Sequence, residues 1–163
     1  MSDSALRLDQ LRARLREQGV EGFLLPRGDE HLGEYVPPCA ERLAWLTGFT
    51  GSAGFAVVLP DEARVFSDGR YQVQMSQQLD PAVWSMAHMY ETPGPTWLAR
   101  HASGRAIGYD PRTISETELA SYIQAGCTMV ALARNPIDAI WTDRPAAPDT
   151  TVEALALRYT GTD

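Results

Sequence analysis

The stretch "GFAVVLPDEARVFS", Gly54 to Ser67, holds two short apolar runs separated by Pro60, Asp61 and Glu62. β-branched and aromatic runs on either side of a turn cluster predict a β-hairpin. A hairpin makes its two strands antiparallel, whereas strands joined through helices pair in parallel. The rest of the chain supplies the second kind of connection. "VEGFLL" reads as a buried strand ended by "PRGDE", and "VWSMAHM", "RAIGYD" and "CTMVAL" read as further strands separated by helical segments. One hairpin set within a helix–strand alternation predicts an α/β chain with a mixed sheet flanked by helices.

The helices follow from spacing. Leu8, Leu11 and Leu15 recur at helical intervals, with Ser4 as the cap and Gly19 as the stop. "ERLAWLTGF" predicts a short helix or turn carrying Leu43 and Leu46 inward. Tyr71, Met75 and Leu79 fall on one helix face, and "PTWLARHA" is helical. Ser115 with Glu118 forms a capping box for a helix ending near Gly126, and "NPIDAIW" predicts a short terminal helix. From Arg144 the character changes: Pro145 and Pro148 suggest a linker, and "VEALAL" has helical potential with little chain after it. The expected division is a domain over residues 1–143, then a linker and the truncated start of another domain over 144–163.

Composition narrows the partners. The 163 residues carry 14 basic and 21 acidic side chains, a formal charge of −7, which disfavours polyanions. Arg7, Arg12, Arg14 and Arg16 concentrate positive charge, but on a helix whose other face is leucine, so they read as a solvated face rather than a nucleic-acid site. Cys39 and Cys127 lie far apart without a CxxC and read as free thiols. The amino terminus lacks a secretory apolar core, and no apolar run approaches the roughly 20 residues of a membrane span. No membrane association is expected, and the cytoplasm is the default location.

Gly48, Gly51 and Gly54 fit neither the dinucleotide fingerprint nor a phosphate loop, and they precede a strand rather than open a helix. Their expected role is backbone shape. Ser52 in "GSAG" is not in a nucleophile elbow, and Cys39 has no identifiable base. His31, near Asp29, Glu30 and Glu34, leaves open a loop metal site or a surface polar role; His88 reads as a strand residue with its own hydrogen bond, and His101 as an exposed helix-end residue. Arg70 in "SDGRY" follows a strand end, and its guanidinium suits a carboxylate, either Asp68 or one from outside. For Tyr35, Trp45, Tyr71 and Trp141 core packing is the baseline, with Trp141 also placed to meet a following domain.

"GDEHLGEYVPPCAERLAWLTGFTGSAGFAVV", "SDGRYQVQMSQQLD" and "NPIDAIWTDRP", in that order, resemble the first domain of long, three-domain aminopeptidase P. That domain is shared with the creatinase and prolidase amino-terminal domains, and the likeness runs from about Leu8 to Pro145. The resemblance implies a non-catalytic domain that gates substrate and makes interdomain or dimer contacts. It also implies a parent enzyme that removes the amino-terminal residue from peptides with proline second. Its two divalent metals, usually manganese, would lie in a catalytic domain of pita-bread fold, held by two aspartates, a histidine and two glutamates that this chain lacks. No catalytic or metal-ligating residue is therefore expected here, and Asp68, Asp143 and His31 are not assigned as ligands. By the same resemblance Arg70 faces the catalytic cleft near the proline-containing peptide, with Tyr71 and the His31 loop as neighbours. The alternatives are the corresponding domain of a creatinase-like enzyme or of an inactive peptide-binding pita-bread protein, and an independent binding module.

Overall fold

The hairpin forms where it is expected: β2 (Phe55–Val58) and β3 (Ala63–Ser67) pair antiparallel, and the Leu59 N–H to Glu62 carbonyl bond of 2.7 Å closes the turn. The computed structural model describes residues 2–161. The other strands are β1 (Gly22–Pro26), β4 (Ser85–His88), β5 (Ala106–Tyr109) and β6 (Thr128–Ala131). They join the hairpin in one six-stranded sheet of order β4-β3-β2-β1-β5-β6. β2 is antiparallel to β1 and β3, while β3–β4, β1–β5 and β5–β6 are parallel pairs. Five strands therefore run one way and β2 alone runs against them.

Both faces of the sheet are covered, which is why its central strands read as continuous apolar runs rather than alternating ones. On one face Phe23, Leu25, Ala56, Val58 and Val65 pack with Leu8, Leu11 and Leu15 of α1 (Asp3–Glu17), with α2 (Arg42–Thr47) and with Met75 of α3 (Gln72–Gln78). On the other, Leu24, Phe55, Val57, Phe66 and Ile107 meet Trp97 and Leu98 of α4 (Gly94–His101) and Tyr122 of α5 (Glu116–Gln124). Phe55 and Phe66 stack at 4.6 Å on that second face.

Several local expectations are corrected. The cap of α1 is Ser2, whose hydroxyl accepts the Ala5 N–H, and not Ser4. Ser4 instead donates to the Leu46 carbonyl at 3.1 Å and accepts the Trp84 indole N–H at 2.6 Å, tying α1 to elements distant in sequence. The arginine face of α1 is only partly solvated: Arg7 lies over the Trp45 ring, Arg12 donates to the Leu59 carbonyl, and Arg16 stays exposed. The capping box shows one arm, the Glu118 N–H on Ser115 Oγ at 3.2 Å. "NPIDAIW" forms a 3₁₀ turn, Pro136–Ala139, while "VEALAL" is exposed and irregular up to a 3₁₀ turn at Leu157–Tyr159.

The exit of the chain is fixed. Trp141 is buried and stacks on Trp45 at 5.3 Å, so it belongs to the core. Asp138 takes a forked bond from Arg42 and a second ion pair from Arg144, whose Nε also donates to the Cys39 carbonyl at 2.6 Å. Beyond Arg144 the backbone is irregular and exposed up to residue 156.

Candidate functional site

Because five strands share a direction, their carboxyl ends, at Pro26, Ser67, His88, Tyr109 and Ala131, gather on one edge of the sheet. Open α/β sheets bind ligands outside such ends, where neighbouring connections diverge. Here the divergence lies between β1, whose connection leads to β2, and β5, whose connection leads to β6. A groove of about 300 Å³ opens there, lined by Arg27, Gly28, Leu32, Met89, Thr113 and Glu118 among others. Partial burial pushes the Glu118 carboxyl up. Arg27 is committed to this wall, donating to the Glu34 and Ser52 carbonyls and pairing with Glu41.

Arg70 stands after β3 on the same edge. Asp68 caps the 3₁₀ turn Gly69–Tyr71: its Oδ1 accepts the Arg70 backbone N–H at 2.9 Å and Nε at 3.1 Å, and its Oδ2 accepts Nη2 at 2.7 Å. These bonds hold the Asp68 carboxyl below its usual range and raise the arginine. The Asp68 side chain is 9% exposed and that of Arg70 is 67% exposed, so a buried carboxylate steadies an outward guanidinium. Both readings of Arg70 from sequence are thus compatible: Nε and Nη2 are taken by Asp68, and Nη1 has no partner among the described residues.

Tyr71 is seated by the glycine-rich segment. Its hydroxyl shares a 2.6 Å hydrogen bond with Ser52 Oγ, which lowers the phenol, and its ring meets Phe49 edge-on at 5.8 Å. A Cβ on Gly51 would lie 2.2 Å from Phe49 Cζ and 2.9 Å from Tyr71 Cδ1. Glycine at 51 makes room for both rings, and Ser52 serves as the hydrogen-bond partner of Tyr71. The Arg70 guanidinium sits 5.1 Å from the Tyr71 ring centroid, a cation–π contact.

His31 is elsewhere on the edge. It is exposed in the loop after β1, its backbone N–H bound to Asp29 Oδ1 at 3.0 Å. Two strand spacings, about 10 Å, separate the ends of β1 and β3, and no contact joins His31 to Arg70 or Tyr71 among the described residues. With Tyr35, Cys39, Arg144 and Pro148, His31 lines a second cavity of about 430 Å³ beside the chain exit. His88 ends β4, but its Nδ1 is buried with no hydrogen-bond partner among the described residues, contrary to expectation. His101 is exposed in the last turn of α4, bonded to the Trp97 carbonyl at 2.8 Å.

Sequence reasoning missed Asp110 and Arg112. They follow β5 and reproduce the Asp68–Arg70 arrangement: Oδ1 accepts the Arg112 N–H and Nε, each at 3.1 Å, and Oδ2 accepts Nη2 at 3.0 Å. The signal was present, since "SDGR" and "YDPR" both place Asp-x-Arg directly after a strand.

Comparison with known proteins places this geometry. The creatinase/prolidase N-terminal domain profile matches residues 7–140. The chain belongs to the creatinase/prolidase N-terminal domain family. A probable Xaa-Pro aminopeptidase P of Chaetomium globosum is 37% identical over 99% of this chain and 28% of its own length. A crystal structure of X-prolyl aminopeptidase from Caenorhabditis elegans, described as a cytosolic enzyme with a di-nuclear active site, superposes with a TM-score of 0.81. It is 30% identical and covers 89% of this chain and 26% of the nematode chain. An isolated creatinase/prolidase-like N-terminal domain of a putative metallopeptidase from Corynebacterium diphtheriae shares the fold at a TM-score of 0.63 and 19% identity, over 80% of this chain and 97% of its own. The chain thus spans little more than a quarter of the length of the aminopeptidases it matches. Among its described residues no three His, Cys, Asp or Glu side chains come together in a way that could hold a metal ion. The described residues of this creatinase/prolidase N-terminal domain therefore offer no side-chain set that fits a di-nuclear centre. No helix among the described residues is long and apolar enough to cross a membrane.

Proposed function

We propose that this chain is the non-catalytic N-terminal domain of a metal-dependent Xaa-Pro aminopeptidase, serving substrate gating and interdomain or dimer contacts. The observation that carries this reading is the 37% match over 99% of the chain to an aminopeptidase P that extends far beyond it. Residues 1–143 form the domain and 144–163 lead into the next unit. The hydrolytic chemistry resides in that further polypeptide, where two divalent metals, manganese in this reading, would supply an activated water for cleavage before proline. The parent acts as a homodimer in the cytoplasm, a location supported by the cytosolic description of the nematode enzyme.

Within this division of labour Arg70 and Tyr71 face the cleft of the catalytic unit, and the His31 loop borders it. The outward guanidinium of Arg70 and the seated phenol of Tyr71 support that placement, because both are held in one orientation before any partner arrives. Incubation of the pure chain with manganese and an Xaa-Pro peptide is the direct test of its non-catalytic role. No hydrolysis is expected, and metal-dependent turnover sinks the reading. The full-length gene product should hydrolyse the same peptide. In it Arg70→Ala should lower kcat/KM by about tenfold or more, the scale of one lost charged hydrogen bond, without unfolding the domain. Unchanged kinetics would retire the role of Arg70.

A further inference from the structure

A buried aspartate that holds an exposed arginine occurs twice on the carboxyl edge, after β3 and after β5, which run in the same direction. The second copy is the more firmly anchored. Asp110 is 1% exposed, and its Oδ2 also accepts Asn135 Nδ2 at 3.1 Å. The Arg112 N–H and Asn135 already supply one donor to each Asp110 oxygen, so the carboxylate does not need the arginine head to avoid being buried unpaired. An ion pair with so exposed a cation adds little stability. What the arrangement does achieve is orientation. A guanidinium has five N–H donors in a fixed fork. Asp110 engages Nε and Nη2, while Nη1 has no partner among the described residues and the side chain is 57% exposed. The free edge of the fork suits a second carboxylate, and little conformational freedom remains to be lost on binding it.

The exit of the chain indicates where that carboxylate comes from. Arg144 is clamped to Asp138 and to the Cys39 carbonyl, and Asp138 sits in the 3₁₀ turn capped by Asn135, the residue that also bonds Asp110. The polypeptide therefore leaves the domain by way of a turn tied to Asp110, the partner of Arg112, and most of the length of the aminopeptidase relatives lies outside the match. We propose that Arg112 is a second carboxylate anchor on the carboxyl edge, matched to Arg70, and that it takes an acidic side chain of the unit that follows this domain in the longer protein. This rests on the reading of the chain as one unit of a longer polypeptide, and it does not require that polypeptide to be a peptidase.

Hydrogen–deuterium exchange on the full-length protein and on the 163-residue chain tests it, read at peptides covering residues 110–118. These amides should exchange at least about tenfold more slowly in the full-length protein than in the shorter chain. Arg112→Ala and Arg112→Gln should abolish that difference, each variant being compared in its own full-length and shorter forms. Arg112→Lys, which keeps the charge without the fork, should restore only part of it. Equal exchange in the two proteins overturns the proposal, as does protection that survives Arg112→Ala. A raised KM for an Xaa-Pro peptide with protection intact also overturns it, because Arg112 would then face substrate. Arg112-dependent protection in a full-length protein without peptidase activity sustains the anchor and sinks the aminopeptidase reading instead.

Discussion

At Gly54 the backbone adopts a φ of 149°, and a Cβ there would lie 2.5 Å from the Phe66 carbonyl oxygen. That oxygen belongs to the neighbouring strand and cannot swing aside as a side chain can. Gly54→Ala should therefore cost more than about 1 kcal/mol, measured by urea unfolding of the chain. The two buried aspartates contribute to acid stability. Burial opposes charge on Asp110, but the bonds from Arg112 and Asn135 prevail and hold its carboxyl low; the Arg70 guanidinium does the same for Asp68. A carboxyl that titrates lower in the folded state than in the unfolded chain is stabilising above the unfolded value of about 3.9. That contribution is lost as pH falls through the folded value. Tm measured from pH 6 down to pH 2 should fall more steeply for the wild type than for Asp110→Asn, and parallel curves would contradict the assignment. The pairing of Arg70 with Asp68 was legible from sequence because both lie in a recognisable strand–turn. The matching pair of Arg112 and Asp110 was not, because Asp110 is held by Asn135, a contact 25 residues away in sequence.

The helices and strands show which part of the folding information is local. Leu8, Leu11 and Leu15 are all buried at the expected spacing, so the face of α1 was readable from periodicity alone. Its cap was not: Ser2 and Ser4 are equivalent candidates by residue type, and Ser4 is taken by Leu46 and Trp84, partners that exist only once α2 and β4 are in place. Leu11→Ala, at a fully buried position, should destabilise by about 2–5 kcal/mol with an unchanged denaturant m-value. Ser115→Ala removes the acceptor of the Glu118 N–H and should cost about 1 kcal/mol, also read by denaturant unfolding. The hairpin was the most transparent element, since its turn and both strands lie within fourteen consecutive residues. "VEALAL" failed as a helix because no apolar surface lies against it in the described residues: Val152 is 95% exposed and Leu155 64%.

Across the molecule, one sheet supplies both apolar cores, so the two faces should not unfold separately. A single transition is expected, with calorimetric and van't Hoff enthalpies in agreement. No metal-binding cluster is present among the described residues, so EDTA should leave Tm of the chain unchanged, and a fall in Tm would reveal a structural ion. The sheet order could not be read from sequence, because it depends on which distant strands β1 accepts on its two sides. The clamp on Arg144 has a further kinetic meaning. In the proposed longer protein, pinning the chain at Cys39 and Asp138 would shorten the tether between this domain and the next unit. A short tether confers an effective concentration in the millimolar range, so contacts too weak to survive between separate molecules become well populated within one. Separating the units by proteolysis after Arg144 would therefore weaken their association far more than any single side-chain change at the edge.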